Sequence, residues 1–161
     1  MRNIILISIV LLLAGCGTAQ TLVLEPVTTT SKFNSVAVIA DNPNVDVPAD
    51  VTQKLESVIN KGLFEEGPFT TGSDLRIHYT FISHNPGNQF ERWFWGGIGN
   101  AGEGSLAIMV KYFDSNDKEI AKTQVEGRIG SGFFGGSYNE AITKAGEDIV
   151  KFTIENFAPQ K

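Results

Sequence analysis

The chain has 161 residues, of which 42% are hydrophobic and 19% are charged, and its formal net charge is −5. This length can hold one domain with a hydrophobic core, and the composition argues against a wholly disordered chain. The 13 Lys and Arg residues are scattered along the sequence. Because binding to a phosphate backbone needs a clustered basic surface, we expect no nucleic-acid partner.

The first 15 residues have the pattern of a bacterial lipoprotein signal peptide. Arg2 supplies a positive charge, and an apolar run from Ile4 to Ala14 follows, broken only by Ser8. The run is shorter than the roughly 20 residues that span a bilayer, but it fits the hydrophobic region of a secretory signal. It ends in the letters LAGC at 13–16, which resemble the lipobox of bacterial lipoproteins.

The lipobox predicts cleavage between Gly15 and Cys16 and attachment of diacylglycerol to the thiol of Cys16. Cys16 is the only cysteine in the chain, so the lipidated protein would contain no disulfide. Stable anchoring requires more than one acyl chain, which this class of protein provides. Gly17 follows the cysteine, where an aspartate would signal retention in the inner membrane of enteric bacteria. We therefore expect a domain anchored in the outer membrane and facing the periplasm.

The mature chain is predicted to begin with a tether at 16–32, followed by a single globular domain at 33–161. The tether is rich in Thr and Ser, and its segment Thr21–Pro26 has the composition of a short edge strand. The domain opens with an apolar strand at Phe33–Ala40. A helix is then expected from Pro48 to about Gly67, on one apolar stripe that comprises Val51, Leu55, Val58, Ile59 and Leu63.

Three strands and a helix complete the prediction. Residues Asp74–Ser83 alternate between apolar and polar types, Ser105–Phe113 is mostly apolar, and Ala121–Ile129 alternates again. Ser137 and Glu140 form a capping box at the start of the last helix. The result is an α/β (α+β) two-layer sandwich, with a small, mostly antiparallel sheet in the order β-α-β-β-β-α and both helices on one face.

Gly97, Gly99 and Gly102 match the G-x-G-x-x-G spacing of a dinucleotide-binding loop. Such a loop opens a helix, whose free amides receive the phosphates. Here a strand is predicted from Ser105 instead, so we expect neither a nucleotide ligand nor another cofactor.

The remaining polar residues do not suggest a catalytic or metal site. His78 is expected on the polar face of a strand and His84 in a turn, so both are interpreted as solvated. The loop and helix-end carboxylates show no catalytic spacing; they are Asp41, Asp46, Asp50, Glu65 and Glu66. Asp46 and Asp50 suit the start of a helix through its dipole.

Two segments combine large aromatic residues with glycines. The five residues of this predicted aromatic patch are Trp93, Phe94, Trp95, Phe133 and Phe134. In the predicted meander, both segments leave the sheet at the same edge. Two interpretations are open: the rings close the end of the core, or they form an exposed patch that binds a partner protein or the membrane.

The pattern from Asn85 to Phe157 resembles a bacterial outer-membrane lipoprotein family of unknown function, of the type catalogued as domain of unknown function 4410. The matching elements are an Arg-Trp pair before a glycine-rich bend, the strand after it, and a Gly-Gly-Ser before the last helix. The segment AGEG at 101–104 departs from the usual family pattern. The resemblance implies a small outer-membrane lipoprotein and no defined reaction.

These observations predict a lipid-anchored, non-catalytic lipoprotein that binds or organises another envelope component. Its expected partners are the membrane, through the lipid, and an envelope protein. Two alternatives are an envelope hydrolase or small-ligand binder with a site of loop carboxylates and His84, and a structural lipoprotein that assembles with its own copies.

Overall fold

A computed structural model describes residues 18–85, 105–128 and 137–159. Its strands are β1 Thr18–Glu25, β2 Ser35–Ala40, β3 Thr70–Thr71, β4 Leu75–Asn85, β5 Ser105–Asp114 and β6 Glu119–Arg128. Its helices are α1 Ala49–Asn60, which continues as a π-helical turn at Lys61–Glu65, and α2 Tyr138–Phe157.

The six strands form one mixed sheet in the order β1-β6-β5-β4-β2-β3. The pairs β1–β6, β5–β6 and β4–β5 are antiparallel, whereas β2 runs parallel to β3 and β4. Alternate residues of β4 and β5 are buried beneath the helices. The structure is therefore an α+β two-layer sandwich, and the predicted β-α-β-β-β-α order is contained in it.

The two helices pack side by side on the sheet, and small residues allow their close approach. A Cβ added to Gly146 of α2 would lie 2.7 Å from Cγ1 of Val58 in α1. Gly62 meets Val150 in the same way. The predicted capping box is confirmed, since Ser137 accepts from the Glu140 amide at 3.2 Å and Glu140 accepts from the Ser137 amide at 2.8 Å.

The edge strand expected at Thr21–Pro26 is present, but it is longer than predicted and belongs to the sheet of the domain. Eight residues of the expected tether form strand β1, which pairs with β6 from Thr18↔Arg128 to Glu25↔Lys122. The chain that follows β1 is also hydrogen-bonded to the domain. The amide of Thr28 donates to the carbonyl of Ile120, and Lys32 Nζ donates to the carbonyl of Asn156. The folded unit thus includes residues that the sequence assigned to a tether, because an edge strand buries too little apolar surface to leave a strong pattern.

Gly127 of β6 provides a test of the packing between the sheet and α2. A Cβ at this position would lie 2.7 Å from the carbonyl oxygen of Ala141, a backbone atom that cannot rotate away. Gly127→Ala is expected to lower the free energy of unfolding by about 1–3 kcal/mol through overpacking. Chemical denaturation measures the change in the free energy of unfolding, and Gln124→Ala on the open face of the same strand is the control. Equal stability of the two variants would contradict the packing described here.

Candidate functional site

Both predicted functional sites lie outside the described residues. These are the lipidation site, Gly15 and Cys16, and the aromatic patch, Trp93, Phe94, Trp95, Phe133 and Phe134. They stay predictions.

The structure does describe the residues that bound the two aromatic segments. Asn85 pairs with Ser105, and Ser105 pairs with Arg128, so the segments 86–104 and 129–136 adjoin neighbouring ends of β4, β5 and β6. This confirms that both segments leave the sheet at one end. Ser105 begins strand β5, which is also the element predicted to follow the glycine motif.

The most exposed apolar surface among the described residues is on strand β1. Leu22, Val23 and Leu24 are 37%, 54% and 46% exposed, and we refer to these three residues as the β1 edge. Within the described sheet, β1 is a terminal strand paired with β6 on one side. No described strand pairs with its other side, which makes the β1 edge a candidate interaction surface.

The sheet face opposite the helices contains a depression of about 480 Å³. Its lining residues are Ile82, Ser83, Ser105, Leu106, Ala107, Gln124, Glu126 and Arg128. Both oxygens of Glu126 are engaged: Gln124 Nε2 donates to Oε1 at 2.8 Å, and Arg128 Nη2 donates to Oε2 at 3.0 Å. The carboxylate thus forms an ion pair with Arg128, and the depression offers a polar surface.

His84 is not in a turn as predicted, because β4 extends to Asn85. An irregularity between Phe81 and Ser83 shifts the register, so that His84 lies opposite the buried Leu106 and on the side of the helices. Its ring packs edge-on against Tyr138 at the start of α2, with centroids 5.6 Å apart. The interpretation of His84 as solvated in a turn was wrong, because β4 continues past the predicted end at Ser83 and the bulge turns His84 toward the helices.

The polar atoms of this ring pair have an unusual environment. In the part of the chain that the structure describes, His84 Nε2 and the Tyr138 hydroxyl are buried and have no hydrogen-bond partner. Burial raises the pKa of Tyr138 to about 12, with a smaller contribution from the negative charge of Asp50. Tyr138 therefore remains neutral at physiological pH, and its unpaired hydroxyl adds no stability.

His78 lies on the opposite face of the sheet, as predicted, but it has specific partners. Its Nδ1 is 3.0 Å from Oδ1 of Asp41, and its ring packs edge-on against Phe113 at 5.1 Å. Because β4 places His78 and His84 on different faces, they cannot share a site. Among residues 18–85, 105–128 and 137–159, no group of three or more His, Cys, Asp or Glu could hold a metal ion.

The buried tyrosines of the core have structural contacts. The Tyr79 hydroxyl donates to Glu56 Oε1 of α1 at 2.7 Å, which connects β4 to that helix. Tyr112 is fully buried, with its hydroxyl 3.4 Å from Thr153 Oγ1 of α2. Burial raises the pKa of both phenols, so neither provides an ionised group.

Together these features define a two-layer α+β domain with one open sheet face and one exposed apolar edge. No helix within the described ranges has the length and apolar character needed to cross a membrane. No protein-family model matches the chain, and no curated protein matches it.

Solved structures of PelC from Paraburkholderia phytofirmans are similar to this chain. A PelC dodecamer and the dodecamer of a single-substitution variant align with TM-scores of 0.52 and 0.50 and sequence identities of 14% and 13%. Each alignment covers 89% of this chain and 99% of the PelC chain. At this identity the likeness concerns the fold alone.

Tyr138→Phe tests the environment of the ring pair. Since the hydroxyl has no partner among the described residues, the substitution should leave stability at pH 7 unchanged or slightly higher. Tyr79→Phe is the matched control and should lose about 1 kcal/mol, because it removes the hydrogen bond to Glu56.

The difference in stability between the wild type and Tyr138→Phe is also expected to depend on pH. From about pH 10 to pH 12, unfolded Tyr138 loses its proton while the folded residue, with a pKa of about 12, keeps it. The wild type should therefore lose stability relative to Tyr138→Phe as the pH rises through this window. Denaturant unfolding at several pH values measures the difference, and a constant difference would contradict the buried environment of Tyr138.

Proposed function

We propose that this chain is a lipid-anchored, non-catalytic envelope lipoprotein that acts as a binding module. The observation that carries the proposal is the position of β1. It begins two residues after Cys16, the predicted lipidation site, and it presents the exposed β1 edge. One short strand thus joins the membrane anchor to an unpaired interaction surface.

The chemistry of the β1 edge favours pairing with another strand. Natural edge strands usually carry charges, prolines or inward-pointing lysines that block such pairing. The segment Thr21–Leu24 has none of these. The nearest charge on the strand, Glu25, is 3.2 Å from Lys122 Nζ of β6, so it is directed toward its own sheet.

We propose a second copy of the same chain as the strand that covers the β1 edge. Support comes from PelC, which shares the fold over most of this chain and was solved as a dodecamer. The adaptor role then belongs to the assembled lipoprotein, which would present several copies of the domain at the outer membrane to an envelope partner.

A small-ligand binder is the second candidate, and the depression beside Glu126 and Arg128 favours it. The ligand would be a polar molecule able to exchange hydrogen bonds with this ion pair. The lining of this depression does not include His84 or the loop carboxylates that the sequence suggested for such a site.

Anchoring is tested by replacing Cys16. In cells given labelled palmitate, the wild type should incorporate the label and Cys16→Ala should lose it completely, because no other thiol is present. Ser31→Ala, an exposed substitution outside the strands, is the control and should label like the wild type. Undiminished labelling of Cys16→Ala would contradict the lipobox.

Self-assembly is tested by placing a charge on the β1 edge. Val23→Lys should convert the detergent-solubilised oligomer to monomer in light scattering, since a buried lysine at a strand–strand contact is costly. Gln53→Lys adds the same charge to an exposed position of α1 and should leave the oligomer intact. A monomeric wild type, or an unchanged oligomer in Val23→Lys, would exclude assembly through this edge.

A further inference from the structure

We propose that one defined end of the sheet faces the membrane surface, with no long spacer between the lipid and the folded domain. This end, which we call the anchor end, consists of Thr18, Asn85, Ser105 and Arg128. The inference rests on the lipid anchoring proposed above and adds the orientation and the height of the domain.

Chain geometry fixes the distance between the lipid and the sheet. Thr18, the first residue of β1, stands two positions after Cys16. An extended chain spans at most about 3.6 Å per residue, so the lipidated residue lies within about 7 Å of the start of the strand. A flexible tether over 16–32 would instead have allowed an end-to-end distance of roughly 20 Å or more.

Strand register identifies the rest of the anchor end. Thr18 pairs with Arg128, Arg128 pairs with Ser105, and Ser105 pairs with Asn85. These four residues form one row across β1, β6, β5 and β4. The end of the sheet that this row marks, from which the segments 86–104 and 129–136 also leave, therefore faces the membrane when the strands stand upright.

The chain after β1 keeps the domain from pivoting on a loose segment. It runs away from the anchor end along β6 and is then fixed at the opposite end of the sandwich. There the amide of Phe33 donates to the carbonyl of Phe157 at 2.9 Å, and Lys32 Nζ donates to that of Asn156 at 2.7 Å. The anchor is thus attached to the sheet itself.

The opposite end of the sheet is the turn between β5 and β6. Strand β5 has 10 residues from Ser105 to Asp114, which corresponds to a height of about 30 Å.

The proposed orientation limits what the protein can reach. A partner must come within about one domain height of the outer membrane, since no extended linker carries the domain further into the periplasm. The β1 edge would run along the membrane normal, so copies that pair through it would stand side by side on the bilayer.

Depth-dependent fluorescence quenching tests the orientation. Full-length lipidated protein is reconstituted in vesicles whose lipid headgroups carry nitroxide quenchers. A thiol-reactive fluorophore is attached to one of two variants, Ser83→Cys near the anchor end or Asn116→Cys in the far turn. Both positions are exposed, and acylation leaves no native thiol to react. Quenching should be at least twofold stronger at position 83. Arg128→Cys and Lys118→Cys repeat the comparison if either first variant fails to fold.

A variant with a longer linker tests whether the short connection between Cys16 and Thr18 causes the difference in quenching. Inserting about 15 Gly and Ser residues after Gly17 should remove most of the difference between the two positions, because the domain is then released from the surface. Equal quenching in the palmitate-labelled protein without the insert would overturn the orientation and leave anchoring intact. Absence of palmitate labelling would overturn anchoring, and the orientation with it.

Discussion

The antiparallel ladder between β1 and β6 is the interaction on which the account depends. Seven residue pairs join the two strands, and the ladder makes the N-terminal segment part of the sheet. Its backbone hydrogen bonds satisfy one edge of β1, and no described strand pairs with the other edge. The side chains of Leu22, Val23 and Leu24 are exposed. In the proposed lipoprotein, the same ladder would position the lipid anchor and set the distance between the domain and the membrane.

Much of the fold could be predicted from local patterns. The alternation in β4 marks the buried face of that strand, and Ser137 with Glu140 marks the start of α2, because these signals depend on neighbours in sequence. Strand β1 was underestimated since most of its side chains are exposed, and its pairing with β6 is a long-range contact. The position of His84 depends on a bulge that no local pattern announces, so two residues with the same apparent polarity, His78 and His84, lie on opposite faces of the sheet.

The candidate site was predictable only in part. The sequence correctly indicated that the two aromatic segments adjoin one end of the sheet, because antiparallel connectivity fixes which strand ends are neighbours. It did not indicate the β1 edge, whose importance comes from what the structure leaves uncovered. Of the loop carboxylates considered for a ligand site, Asp41 faces His78, with Oδ1 3.0 Å from Nδ1.

The central claim is that residues 18–25 are an integral strand and not a tether. Hydrogen–deuterium exchange of the full-length lipidated protein measures this most directly. Amides of β1 that donate to β6 should exchange orders of magnitude more slowly than an unstructured peptide and with protection similar to that of β6. Exchange of residues 18–25 at the rate of an unstructured peptide, with β6 protected, would show that the anchor is joined to the domain by a flexible segment and would contradict the account.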